Sequence, residues 1–281
     1  MSTELLPAHN ADGLAVIPMS EEQKYIFDLK GWFCLPGLFT EDELAPIREH
    51  QMKYLHHRDE LPPHERDNHG GPSQVLLDHP AVVGVLNEIL SHQALASEEV
   101  YGFRFDHTYT SLREAGHDNF NPHGGGAIFS FVGSSHIYQM QAGRIHAGLT
   151  RVVWELNEVG PGDGGTLFLT GSHKAAFPRP ESVSGRDSDL WETYTCPAGS
   201  AVIFTEAICH SGTRWTNPER PRLCLFTCYN TVSAKWGKGC PSAEVIAAMP
   251  AKRQTLFRGV WHGMSDVPGI NRYYEEANRA V

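Results

Sequence analysis

The feature that most restricts how this chain can fold is a change in sequence pattern near residue 100. From there to about residue 232, short segments rich in β-branched and aromatic residues alternate with turns that contain Gly, Pro or Asn. Eight segments are candidate strands: Val100–Phe105, Ala127–Val132, His136–Met140, Ile145–Leu156, Thr166–Leu169, Glu192–Thr195, Ala201–Thr205 and Leu223–Asn230. Short strands with regularly spaced turn signals predict a β-sandwich or a double-stranded β-helix, the jelly roll.

The part of the chain before residue 100 has a helical pattern. Ser20 and Thr40 are each followed three residues later by Gln or Glu, and this capping-box pattern predicts two helix starts. A buried strand is predicted at Gly31–Leu35 and a third helix at about Pro80–Leu90. We therefore expect one mainly β jelly-roll domain over 1–281, with a helical part at about 15–95, a β core at about 100–232 and a helical tail at 241–281.

Composition excludes several classes of protein. The net charge of -10 disfavours a nucleic-acid-binding surface, which needs clustered Lys and Arg. No apolar run approaches the length of a membrane span. The first ten residues lack the pattern of a secretory signal, and none of the six cysteines forms a C-x-x-C pair. We expect a cytoplasmic protein with reduced thiols that binds neither nucleic acid nor membrane.

Three segments combine Gly-rich turns with histidine, the commonest metal ligand. They are NPHGGG at 121–126, GDGGTLFLTGSHK at 162–174, and AGSAVIF at 198–204 followed by His210, Asn217 and Arg220-Pro221-Arg222. Together with LKGWFCLPGLFTEDEL near the start, they resemble, in the same order, the landmarks of the phytanoyl-CoA dioxygenase family of iron(II)- and 2-oxoglutarate-dependent oxygenases. The resemblance extends from about Lys30 to Phe257.

The resemblance implies an iron centre and its co-substrate. The family holds Fe(II) with two His and one carboxylate on one face, which leaves positions for 2-oxoglutarate and O₂. Carried over by motif, His123 is the first His and His210 is the distal His. Arg222 matches the arginine that binds the far carboxylate of 2-oxoglutarate, with Arg220 as the alternative. Trp154 is a candidate for lining the co-substrate pocket, although core packing accounts for it equally well.

One departure from the family pattern concerns the carboxylate ligand, because His-x-Asp is replaced here by His123-Gly124-Gly125. In a first interpretation another acid takes its place, and Glu155 is the best candidate because it interrupts an apolar strand; Asp163 is weaker because D-G-G is an ordinary turn signal. In a second, Gly125 leaves a coordination position for a halide. In a third, the metal site has been lost.

The expected function is an Fe(II)- and 2-oxoglutarate-dependent oxygenase that hydroxylates a small or medium organic metabolite, with no catalytic residue beyond the metal ligands. Two alternatives stay open. One is a halogenase that uses the same site, and the other is a non-catalytic jelly-roll binding protein. The chain shows no basic cluster suited to the phosphates of coenzyme A. Its pattern carries no signal for oligomeric state.

Overall fold

The computed structural model describes residues 6–91, 95–125, 135–141 and 143–260. The strands within these ranges are β1 (Trp32–Leu35), β2 (Phe103–Arg113), β3 (Gln139–Gln141), β4 (Arg144–His146), β5 (Thr150–Glu155), β6 (Thr166–Leu169), β7 (Trp191–Glu192), β8 (Ser200–Thr205), β9 (Cys209–Gly212) and β10 (Arg222–Thr231). The α-helices are α1 (Glu21–Lys30), α2 (Glu41–His56), α3 (Pro80–Ile89), α4 (Glu181–Ser184), α5 (Ala243–Ala247) and α6 (Ala251–Gln254). Turns of 3₁₀-helix cover Arg58–Glu60, Pro63–Glu65, Gly71–Leu77, Ser172–Lys174 and Thr255–Phe257.

The first two helices begin where the capping boxes predicted. The hydroxyl groups of Ser20 and Thr40 accept hydrogen bonds from backbone N–H groups in the first turns of α1 and α2. Helix α1 ends at Gly31, whose φ of 81° lies in the left-handed region that glycine adopts without strain. Its N–H donates to the carbonyl of Phe27 at 2.7 Å. The chain therefore passes directly from α1 into β1.

Two antiparallel sheets form the centre of the molecule. The larger has the strand order β1-β8-β5-β10-β2, and the smaller has the order β7-β6-β9. Strands β3 and β4 form a separate hairpin. Non-consecutive strands are neighbours throughout the large sheet, as expected when a chain crosses between two layers. The mainly β architecture with flanking helices is thus confirmed.

Several predicted strands differ in their bounds from the observed ones. Strand β2 begins at Phe103 and continues to Arg113, well past the predicted end. In its largely polar second half, Tyr109 and Arg113 line a cavity rather than an apolar core. The predicted strand Ile145–Leu156 is divided between β4 and β5 by Gly148, whose φ is 60°. The predicted strand Ala127–Val132 and the tail beyond residue 260 lie outside the described residues.

The large sheet separates two apolar clusters. Successive side chains of β5 alternate between the two clusters. Val152 and Trp154 pack with the helices, whereas Val153 packs between the two sheets. Because side chains alternate along a strand, Arg151 and Glu155 lie on the same face as Val153. Two charged residues therefore lie between the sheets, where the candidate site is found.

None of the helices in the described ranges combines the length and the apolar character that crossing a bilayer requires. All six cysteines are free thiols.

A buried ion pair joins the C-terminal part of the described chain to the segment before α3. Arg253 and Asp78 are 1% and 0% exposed, and the guanidinium Nε donates to the carboxylate at 2.7 Å. Tyr101 donates its hydroxyl hydrogen to the same carboxylate, also at 2.7 Å. Removing one member of such a pair leaves a buried charge without compensation.

We expect the substitution Arg253→Met to lower the free energy of unfolding by about 3–5 kcal/mol, because Asp78 would keep its burial and lose its cation. Urea denaturation monitored by circular dichroism measures the loss. Lys24→Met is the matched control: Lys24 pairs with Glu21 and Glu88 at the surface, and its removal should cost less than about 1 kcal/mol. Equal losses in the two variants would contradict the structural role of the buried pair.

Candidate active site

His123 and His210 are held together by their own backbones. The N–H of His123 donates to the carbonyl of His210 at 3.0 Å, and the N–H of His210 donates to the carbonyl of His123 at 2.9 Å. This reciprocal pair is an antiparallel bridge, which places both side chains on one face. The two imidazole centroids lie 4.1 Å apart. The expected convergence of the two rings is therefore present.

The hydrogen bonds of the two imidazoles define their tautomers. Nδ1 of His210 lies 3.0 Å from the carbonyl of Ile208, and Nδ1 of His123 lies 2.7 Å from the carbonyl of Asn121. A carbonyl oxygen only accepts, so Nδ1 must carry the hydrogen in both rings. The lone pair is then on Nε2, the arrangement in which a backbone carbonyl orients a metal-binding histidine.

The protonation state of His210 also suits a ligand. His210 is 5% exposed, and burial lowers its pKa to about 4, with Glu206 opposing and His123 reinforcing the shift. The ring is therefore neutral near pH 7, as metal binding requires. His123, by contrast, is exposed.

A carboxylate that sequence reasoning missed lies beside the imidazole of His210. Glu206 follows β8 directly and is 4% exposed. Its Oε2 is 3.7 Å from Nε2 of His210, while its Oε1 accepts a hydrogen bond from Nε of Arg151. Burial alone would raise the pKa of Glu206, but Arg151, His210 and His136 together lower it to about 2. An ionised carboxylate thus faces the distal histidine.

Glu155, the acid predicted from sequence, is held by other residues. Its Oε2 accepts from Nε of Arg222 at 3.1 Å, and its Oε1 accepts from the hydroxyl of Tyr194 at 2.5 Å. Among the contacts of the described residues, none joins Glu155 to either imidazole. The same residues contain no group of three His, Cys, Asp or Glu side chains arranged as a ready metal site.

Arg222 begins β10 and is 1% exposed. Besides Glu155, it donates to the hydroxyls of Tyr194 at 2.9 Å and Thr166 at 3.2 Å. Its Nη1 is buried without a hydrogen-bond partner in the ranges that the structure describes. Arg113 lies opposite Arg222 in the register of β2 and β10 and is 7% exposed. Two guanidinium groups therefore occupy one end of the inner sheet face.

The alternative arginine and the alternative acid contact each other in a loop. Arg220 contacts Glu158 at 3.1 Å and Asp163 at 3.4 Å. Asp163 also accepts from the backbone N–H of Gly160 at 2.8 Å, which is the turn role expected of a D-G-G sequence. Neither Arg220 nor Asp163 is placed next to the imidazole pair by these contacts.

Trp154 is on the other side of the large sheet. Its indole is fully buried, donates to the carbonyl of Leu76 at 3.1 Å and packs against Phe39 and His79. The sheet itself separates this ring from the space between the two sheets. Of the two interpretations of Trp154, the structure therefore places it in core packing.

A cavity of about 180 Å³ lies between the histidines and the arginines of the candidate site. Residues that line it include His123, His210, Arg113, Arg151, Tyr109 and Thr166. Thr166 is also a hydrogen-bond partner of Arg222. This one cavity thus contacts the imidazole pair, Arg151, which binds Glu206, and Arg113 at the arginine-rich end of the sheet.

The position of the missing family aspartate has no room for a side chain. Gly125 has a φ of 64°, and a Cβ atom there would lie 2.5 Å from Cβ of Cys209 and 2.7 Å from its backbone nitrogen. Both the backbone conformation and the packing therefore favour glycine. The space next to Gly125 is filled by Cys209.

Comparisons with known proteins identify the fold. No family model matches the sequence, and no curated protein sequence matches it significantly. The structure of HygX from Streptomyces hygroscopicus with iron bound is similar, with a TM-score of 0.61 and 18% identity over 82% of this chain and 94% of that chain. HygX is also known with nickel, 2-oxoglutarate and hygromycin B bound.

Two further solved structures are also similar to this chain. SnoK, a non-heme α-ketoglutarate-dependent carbocyclase from nogalamycin biosynthesis, has a TM-score of 0.54 and 14% identity over 92% of this chain and 97% of SnoK. EctD from S. alaskensis, with 2-oxoglutarate and 5-hydroxyectoine, has a TM-score of 0.51 and 16% identity over 96% of this chain and 92% of EctD. The chain has the jelly-roll fold of iron- and 2-oxoglutarate-dependent oxygenases, as the sequence predicted.

We expect Glu155→Gln to lower the free energy of unfolding of the metal-free protein by about 3–5 kcal/mol, because Arg222 would remain buried without its carboxylate. Chemical denaturation with chelator present measures this loss. Glu158→Gln removes the more exposed partner of Arg220 and should change stability by less than about 1 kcal/mol. A loss in Glu155→Gln no larger than that of this control would show that Arg222 does not depend on Glu155.

Proposed function

We propose that the chain is an Fe(II)- and 2-oxoglutarate-dependent oxygenase that hydroxylates a small or medium organic metabolite, with O₂ as co-substrate. The observation that carries the proposal is the backbone pairing that brings the imidazoles of His123 and His210 together, with the carboxylate of Glu206 facing His210. The sequence landmarks support a phytanoyl-CoA dioxygenase-like subfamily. The ligands bound to HygX and EctD support the co-substrate.

His123, His210 and Glu206 would hold the iron, although the structure does not place these three side chains as a ready-made metal site. Two imidazoles and one carboxylate form the donor set that suits non-heme Fe(II) and leaves positions for other ligands. Arg151 binds one oxygen of Glu206, so the other oxygen is directed at His210. When bound, iron would supply the site at which 2-oxoglutarate chelates and O₂ is activated. Glu155 stays a prediction from sequence, and its occupied oxygens favour Glu206 for this role.

Arg222, together with Arg113, would hold the far carboxylate of 2-oxoglutarate. The unpartnered Nη1 of Arg222 is a donor available for that carboxylate, and Arg113 lines the same cavity. A planar guanidinium is suited to bidentate binding of a carboxylate. Glu155 would then be a positioning residue that fixes the orientation of Arg222 from behind.

The surroundings of the site keep its groups in place. The carbonyls of Asn121 and Ile208 fix the two rings, and the hydroxyl of Tyr109 accepts from Arg151 at 3.1 Å. Burial of Glu206 and His210 limits the access of water to these ligands. Groups held this way need little reorganisation when a charge or metal enters.

The packing at Gly125 bears on the halogenase alternative. A halide that replaces the family carboxylate needs the space which that carboxylate would occupy, and Cys209 fills the space next to Gly125. Oxygenation is therefore favoured over halogenation. SnoK and the α-ketoglutarate-dependent epimerase SnoN show that this fold supports reactions other than hydroxylation in other proteins.

The direct test is succinate formation by the purified protein with Fe(II), 2-oxoglutarate and O₂, quantified by chromatography. We expect turnover by the wild-type chain and none by His123→Ala or His210→Ala, because each removes a metal ligand. His64→Ala, at an exposed histidine on the surface, is the control and should retain turnover. Iron-loaded wild-type protein that forms no succinate, with or without candidate metabolites, would favour the binding-protein alternative.

Two matched substitutions decide which carboxylate holds the metal. Glu206→Gln should weaken Fe(II) affinity by at least about 10–100-fold, because the site would lose its anionic ligand. Glu155→Gln removes the same charge from an equally buried position and should retain the affinity. Metal titration by calorimetry measures both, after circular dichroism has shown that each variant is folded. The reverse result would support Glu155 as the ligand.

A further inference from the structure

Two buried arginines lie side by side without a carboxylate. Arg104, on β2, is 3% exposed, and Arg258, after the 3₁₀ turn Thr255–Phe257, is 6% exposed. Nη2 of Arg104 donates to the backbone carbonyl of Arg258 at 2.8 Å, and Nη1 donates to that of Ala234 at 3.2 Å. Nη2 of Arg258 reaches the carbonyl of Phe103 at 3.5 Å. All these acceptors are neutral.

Three donor nitrogens of the pair remain unused. Nε of Arg104, and Nε and Nη1 of Arg258, are buried and have no hydrogen-bond partner within the described residues. An unpaired buried cation is costly, and each unmet donor adds to that cost. The pair therefore presents three unused donor nitrogens and two positive charges to whatever lies against it.

Three other buried arginines in the described ranges are paired with acids. Arg151, Arg222 and Arg253 each bind a buried carboxylate, from Glu206, Glu155 and Asp78 in that order. These three ion pairs show how the fold ordinarily compensates a guanidinium that it takes out of water. Arg104, Arg258 and Arg113 depart from that pattern. Arg113 donates to the side-chain oxygens of Ser111 and Asn119 and has no buried nitrogen without a partner, whereas Arg104 and Arg258 do have such nitrogens.

The nearest acid on the same strand is already in use. Asp106 lies two residues after Arg104, and it accepts hydrogen bonds from His107, Asn230 and the backbone N–H groups of Trp236 and Gly237. Four donors occupy its two oxygens. Burial and the charge of Arg104 lower the pKa of Arg258 to about 9, so Arg258 is still a cation near pH 7.

We propose that Arg104 and Arg258 form a binding site for an oxyanion, a carboxylate or a phosphate, separate from the cavity that holds His123 and His210. Neither arginine lines that cavity. Guanidinium donors match the oxygens of carboxylates and phosphates, and two adjacent guanidiniums provide the opposite charge.

Two sources could supply this chemistry. One is a free anion, and the other is an acid of the chain itself, since Asp266, Glu275 and Glu276 follow Arg258 in the sequence. In either case the bound oxyanion stabilises the contact between β2 and the segments around Ala234 and Arg258. The stability of the folded protein then depends on that anion.

The first experiment measures the melting temperature of the full chain in phosphate and in chloride at equal ionic strength. If the anion is free, saturating phosphate should raise the melting temperature by about 5 °C. Arg104→Gln and Arg258→Gln should each abolish this rise. Arg113→Gln is the matched control: it removes a buried arginine of the proposed 2-oxoglutarate site and should keep the rise, which separates the two sites.

The second arm tests the chain's own acids with Asp266→Asn, Glu275→Gln and Glu276→Gln combined. If one of them is the ligand, the wild-type chain should ignore phosphate, whereas the triple variant should melt about 5 °C lower and gain a phosphate response. Adding Arg258→Gln should remove that response. The proposal is overturned if neither the wild-type chain nor the triple variant responds to phosphate, an outcome that can be read without any arginine variant.

Discussion

The reciprocal hydrogen bonds between the backbones of His123 and His210 are the constraint on which the candidate site depends. They join a segment that follows β2 to strand β9 of the small sheet, although the two are far apart in sequence. Because the paired residues of an antiparallel bridge direct their side chains to the same side, convergence of the imidazoles follows from backbone pairing. The carbonyls of Asn121 and Ile208 then select the tautomers that leave Nε2 available.

Ion pairs between the two sheets determine which role each buried acid and arginine has. Strand β5 supplies Arg151 and Glu155 to the same face, and each is bound by a partner from elsewhere. Arg151 orients Glu206 toward His210, while Glu155 orients Arg222. As a result, the carboxylate of Glu206 faces His210, and Nη1 of Arg222 has no hydrogen-bond partner among the described residues. Arg104 and Arg258 differ from these residues, because they combine the lack of such a carboxylate with buried donors that have no partner among the described residues.

Much of the fold could be predicted because it is encoded locally. The capping boxes at Ser20 and Thr40 are properties of neighbouring residues, and the two helices begin where expected. The short strands separated by turns are also encoded locally, but several of them have other bounds than predicted. Glu206 could not be distinguished in this way, because an acid after a strand usually faces solvent. Its only local signal is its position four residues before His210, in Glu206-Ala207-Ile208-Cys209-His210. Glu155 was conspicuous as a charge within an apolar strand, but a buried charge needs a partner and does not specify which one.

The sequence by itself determined the mainly β jelly-roll class and the helical N-terminal part, and it selected His123 and His210 as candidate ligands, because these depend on periodicity, turn residues and motif order. Only the tertiary structure decided which buried acid meets which cation, on which face of the sheet Trp154 lies, and that Cys209 fills the space beside Gly125. The reason is physical. Burial and pairing depend on distances between residues that are remote in the chain, and those distances exist only once the two sheets are packed together.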